Sequence, residues 1–178
     1  LSKLRTFLSD NSGSVSIEFV LAMPILFWTF AASFVFFEGY RQSAINLKAA
    51  YTISDMVSRE TTPINPAYMN GAYALLELLT RSPEPTKLRV TVIRWDNVNQ
   101  KYKMDCSKTK GNIGALTNTA VGGMASKLPV MVHNERLIFI ETWSKYSPPF
   151  RVGLQEQDLY NAVFTRPRFA PQVISNDS

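Results

Sequence analysis

The chain has 178 residues, 46% of them hydrophobic and 19% charged, with a formal net charge of +5. That length fits one domain with an appendage, since single domains commonly fill about 100 to 200 residues, and so modest a positive excess singles out neither a nucleic-acid binder nor a membrane-surface protein. With Cys106 the only cysteine and His133 the only histidine, an intrachain disulfide and a cysteine-based metal cluster are both excluded.

The first informative element is the run Phe19 to Phe37, FVLAMPILFWTFAASFVFF, which is 19 residues without a charge. At about 1.5 Å per residue a helix of that length spans roughly 28 Å, close to the thickness of a bilayer's hydrocarbon core. Core helices of soluble domains are usually shorter and carry a polar stripe, whereas only Thr29 and Ser33 interrupt this run. A secretory signal peptide has an apolar stretch of about 7 to 15 residues ending in a small-residue cleavage site. This run is longer and ends in Phe36, Phe37 and Glu38, so the expectation is a retained single-pass anchor in a lipid bilayer. The flanking cations, Lys3 and Arg5 before the run and Arg41 and Lys48 after it, tie under the positive-inside rule and leave the orientation open.

A carboxylate stands at the edge of the run. Glu18 precedes Phe19 directly, and an acidic residue deep in a membrane helix costs about 2.5 to 3.5 kcal/mol on insertion scales, so even at the boundary it calls for a counter-charge. Cleavage after Gly13 supplies one: Ser14 becomes an amino terminus and Glu18 the fifth residue of the mature chain. Gly13 suits such a cut because it has no side chain and lets the chain extend in a protease cleft.

Gly13, Glu18, Phe19 and Pro24, the last six positions after the glutamate, together resemble the type IV prepilin signal, and more closely that of TadE-like proteins of the tight-adherence (Flp) pilus system. The resemblance covers about 45 residues, roughly Leu4 to Lys48, and its specificity lies in the conjunction of glycine, glutamate, proline and span. It implies that a prepilin peptidase removes residues 1–13, cutting between Gly13 and Ser14. It also implies that Glu18 helps neutralise the new terminus during assembly with other pilin-like subunits and the pilus assembly platform. By the same resemblance the leader faces the cytoplasm and the C-terminal domain the periplasm, with the chain held in the bacterial inner membrane.

Beyond Glu38 the helical period continues through Ala44, Leu47, Tyr51, Ser54 and Val57, which predicts an amphipathic stem with those residues on one face. Residues 14–60 are thus expected to form span and stem, and residues 61–178 an α+β domain. Thr61 to Pro66 stops the stem, and Asn65 with Pro66 predicts the cap and first turn of a second helix running to about Leu79. Ser82-Pro83-Glu84-Pro85 ends it.

The period then changes to two. Leu88, Val90 and Val92 alternate with Arg89, Thr91 and Ile93, and Asp96-Asn97-Val98-Asn99 supplies turn chemistry before a strand from Lys101 to Asp105, which predicts a hairpin. Residues 107–127, rich in Gly, Ser, Thr, Asn and Lys, predict a long loop with one helical turn. Strands near Arg136 to Tyr146 and Leu159 to Arg168 complete a small antiparallel sheet. The expected fold class is therefore α+β: a long N-terminal transmembrane helix continuing into a stem, then the sheet, an order of elements shared with pilins.

Catalytic chemistry is not legible. Cys106 and His133 lie in no nucleophile motif and no phosphate-binding glycine loop precedes a helix, so no enzyme activity, cofactor or metal is expected. Lys101-Tyr102-Lys103 and Lys108-Thr109-Lys110 read as solvated strand and loop, with no nucleic-acid partner. The expected function is that of a minor pilin or pseudopilin acting in assembly; the alternative from another class is a signal-anchored periplasmic binding protein unrelated to pili.

Overall fold

The computed structural model describes residues 14–150 and 152–169. The fold is α+β, with elements α1 (Ser14–Ser58), α2 (Pro66–Thr80), β1 (Lys87–Asp96), β2 (Lys101–Lys110), α3 (Asn118–Gly123), a 3₁₀ turn (Ala125–Lys127), β3 (Arg136–Tyr146) and β4 (Gln157–Thr165). The chain divides into two compact units. One takes the described residues up to Gly39 with Pro148–Gln155, and the other takes Tyr40–Ser147 with those from Glu156 onward.

In the second unit the four strands form one antiparallel sheet in the order β2-β1-β3-β4. The C-terminal part of α1 and all of α2 pack on one face. Ala49, Ile53 and Val57 from α1 and Met69, Ala72 and Leu76 from α2 share a core with Leu88, Val90, Val92, Ile138 and Ile140. The other face is covered by the connection between β2 and β3, whose Leu116, Val121, Leu128 and Met131 pack on Ile93, Leu137 and Phe139. Residues 88–93 of β1 alternate between these two cores, so Thr91 and Ile93 are as buried as Val90 and Val92.

The stem face differs from the expected one. Ser54 and Val57 are buried, but Leu47 and Tyr51 are 42% and 58% exposed and Ala44 is exposed as well. The packed row is Asn46, Ala49, Ala50, Ile53 and Val57. Two alanines admit the helix closely to the sheet, and Asn46 tolerates burial because its Oδ1 accepts a 2.7 Å hydrogen bond from the Ser144 hydroxyl.

α2 begins as its sequence predicts: the Asn65 side chain accepts from the Tyr68 N–H at 2.8 Å and Pro66 occupies the first turn. It ends at Arg81 in the left-handed region, where the Gln42 side chain donates to the Thr80 carbonyl at 2.7 Å. At the far end of α1 the Arg168 N–H donates to the Ser58 carbonyl at 2.8 Å, satisfying one of the orphan acceptors of a helix terminus.

β2 runs to Lys110, five residues past the predicted end, because the pairing with β1 survives a bulge. Val92 faces Cys106 and Ile93 faces Met104, leaving Asp105 as the extra residue. The strand stops at Gly111, whose φ of 77° and whose approach to the Thr86 carbonyl, 2.6 Å from where a Cβ would stand, leave room only for glycine. The segment predicted as loop thus holds strand at 107–110 and the short α3 at its centre. β4 occupies Gln157–Thr165 and ends before Arg168.

Candidate functional site

The residues singled out by sequence fall at the start of α1. Gly13 lies outside the described residues, and Ser14 is helical in its backbone. Glu18 follows four residues later, which on an α-helix places the two positions on one face, about 6 Å apart along the axis. Glu18 is exposed, and Phe19 is 60% exposed.

From Val15 to Phe37 the helix shows apolar side chains in every direction: Phe19, Leu26, Trp28, Phe30 and Phe37 are each at least 60% exposed. A helix apolar all round is suited to lipid or to a larger core. It is the one helix among the described residues long and apolar enough to cross a membrane, and such a segment near an N-terminus serves as an anchor or as a signal sequence.

Two polar details within this stretch are met differently. The Thr29 hydroxyl donates to the Ile25 carbonyl at 2.8 Å, a bond that removes the hydroxyl's need for water. Pro24 sits inside the helix and has no N–H to offer the Val20 carbonyl one turn before, which leaves that acceptor for a neighbour.

The two lysine runs on β2 are arranged by the bulge. Lys108 and Lys110 pair with Val90 and Leu88, and Lys101 and Lys103 pair with Asp96 and Arg94. Because Asp105 shifts the register by one, odd and even lysines all reach the helix-bearing face. Lys103 is bound to the Asp96 carboxylate. Asp96 also accepts from the Val98 and Asn99 N–H groups and from the Asn99 side chain. The Lys103 ammonium first, and then the Asn99 amide, hold the Asp96 carboxyl well below the usual carboxylate range.

Cys106 is buried in the helix-side core. His133 is exposed in the loop before β3, where its Nδ1 accepts from the Asn97 N–H at 3.2 Å. Among the described residues no group of three or more His, Cys, Asp or Glu side chains could hold a metal ion.

Sequence reasoning missed the pairing of Trp95 with Tyr102. The two are directly opposed on β1 and β2, with ring centroids 4.6 Å apart and planes inclined at 58°. The signal was present as two aromatics flanking a turn, hidden because the register that opposes them depends on the hairpin itself. It also missed the polar cluster on the same face at the other end of the sheet. There Arg89 Nε donates to Glu141 at 2.6 Å, the Tyr160 hydroxyl donates to the second Glu141 oxygen at 2.8 Å, and the Arg89 guanidinium lies 5.1 Å over the Trp143 ring.

Compared with known protein families, with curated proteins and with solved structures, the chain matches none.

Proposed function

We propose that this chain is a TadE-like, pilin-type subunit: anchored in the bacterial inner membrane by α1, processed after Gly13 by a prepilin peptidase, and acting in assembly of a tight-adherence pilus with its α+β unit in the periplasm. The observation that carries the reading is Glu18, an exposed carboxylate four residues after Ser14 at the start of a helical stretch otherwise free of charge as far as Glu38. An ionised side chain in that position is unfavourable in lipid unless a cation meets it, and a new Ser14 ammonium on the same helix face would supply one. A long N-terminal helix whose C-terminal part packs on an antiparallel sheet is compatible with the architecture of pilins.

On this account Glu18 serves assembly, and insertion depends on the apolar run that follows it. Glu18→Ala is therefore expected to leave membrane insertion and protein level unchanged while reducing surface piliation strongly, with Glu18→Asp retaining part of it. Fractionation of membranes and counting of pili by electron microscopy read the two effects separately. Normal piliation in the Glu18→Ala strain would contradict the role.

A further inference from the structure

The turn that joins β3 to β4, Pro148–Gln155, belongs to the same compact unit as the apolar part of α1, and among the described residues these two segments make up that unit. On this stretch of helix one row is withdrawn from solvent. Ala31, Ala32, Glu38 and Gly39 are half-buried and Val35 is fully buried, while Phe34, Phe36 and Phe37 between them stay 48%, 45% and 71% exposed. Positions 31, 35 and 38 recur at the three- and four-residue steps of one helix face, so a neighbour lies along that face. The β3–β4 turn is the other segment of the unit and is therefore the one that meets it.

That contact fixes the level of the turn along α1. Val35 stands two residues before the end of the charge-free run at Phe37, and Gly39 two residues after it, each about 3 Å along the axis. On the reading of α1 as a membrane span, on which this inference rests, a segment beside Val35 and Gly39 lies at the edge of the hydrocarbon core. The polar headgroup layer, which adds about 5 to 7 Å on each side, begins there.

The turn is built for such a level. It reads PPFRVGLQ and holds no acidic residue. Pro148 and Pro149 have no N–H, so two backbone donors that lipid would leave unsatisfied are absent. Phe150 is 54% exposed, although Pro148, Val152 and Leu154 around it in sequence are half-buried. A large ring held outward leaves apolar area in water that any apolar cover would recover. The other exposed apolar surface of this unit is that of the span, Phe34, Phe36 and Phe37 among it, so the lipid that suits the helix reaches the turn without a second partner. Tyr40, 78% exposed on α1 just past Gly39, stands where interfacial aromatic residues gather. We propose that the β3–β4 turn is a second membrane contact, with the Phe150 ring seated in the interfacial layer of the bilayer that α1 crosses.

Spin labels on the full chain in liposomes of phosphatidylethanolamine and phosphatidylglycerol test this. Single cysteines replace Phe150, Phe30 in the run, or Val98 in a Cys106→Ala background. Val98 is 85% exposed in the turn between β1 and β2, at the opposite end of the sheet from Tyr146. Collisions with oxygen, which concentrates in lipid, are compared with collisions with a water-soluble nickel chelate. The label at 150 is expected to favour oxygen, with a ratio between the high value at 30 and the low one at 98. Phe150→Trp in the otherwise unaltered chain gives a second reading, since lipids brominated near the headgroup should quench its added fluorescence. A label at 150 as open to the chelate as the one at 98, with 30 still in lipid, would overturn the proposal and leave the span standing. Shielding of 150 from both reagents would assign the ring to a protein contact and overturn it as well. Chelate access at 30 equal to that at 98 would remove the span, and the second contact with it.

Discussion

Asp105 organises one end of the sheet by itself. As the extra residue of the β2 bulge it accepts from Arg94 Nε at 3.0 Å and from Arg136 Nε at 2.8 Å, two arginines that face each other directly across β1 and β3. Like charges opposed on a sheet repel, so Asp105→Asn is expected to lower stability by about 1 to 2 kcal/mol, in thermal unfolding at low salt. Asp96 makes a pH-dependent contribution. Its folded-state carboxyl titrates below the unfolded value of about 3.9, so the stability it adds is complete above that value and is lost as pH falls through the lower, folded one. Asp96→Asn should accordingly flatten the acid limb of the stability profile below about pH 4 and change its slope little near neutrality. Burial, and then the nearby Glu60 charge, push the Tyr68 hydroxyl up to about 12; that oxygen is buried with no hydrogen-bond partner among the described residues. Since an unsatisfied buried hydroxyl is a cost, Tyr68→Phe is expected to leave stability unchanged or raise it slightly.

At the scale of elements, α1 is where the pattern misled. Ala44, Leu47 and Tyr51 recur at helical spacing and look like a core face, yet the sheet receives the adjacent row with Ala49, Ala50 and Ile53. Periodicity finds that a helix is amphipathic, but two neighbouring rows of apolar residues leave the choice between them to close packing, where small residues win. Ile53→Ala should therefore cost about 2 to 5 kcal/mol by opening a cavity, while Leu47→Ala should stay within about 0.5 kcal/mol in the same unfolding measurement. α2 was legible because its signals are local: a capping asparagine, a proline in the first turn and a buried row Met69, Ala72, Leu76 and Thr80. β2 was legible only as far as Asp105. Past the bulge the alternation changes parity, and the Ser, Thr and Lys that follow resemble loop composition although they stay paired with β1.

For the whole molecule, the α+β class, the long apolar N-terminal helix and the antiparallel sheet could be read from the change of period from 3.6 to 2. The second covering layer over the sheet could not, because Leu116, Val121, Leu128 and Met131 are spread through a segment without periodicity and are assembled only by tertiary contact. The proposed assembly site was legible as a motif, since a glycine, a glutamate, a proline and a span lie within one continuous stretch. The pairing of Trp95 with Tyr102 was not, because the register that opposes them is set by the folded hairpin.

Cleavage of the bond between Gly13 and Ser14 can be read by N-terminal sequencing and intact-mass measurement of the membrane-extracted protein, expressed with and without a prepilin peptidase. A chain beginning at Ser14 is expected only when the peptidase is present. A leader that stays intact in both strains would contradict it and leave a signal-anchored periplasmic binding protein as the description to pursue.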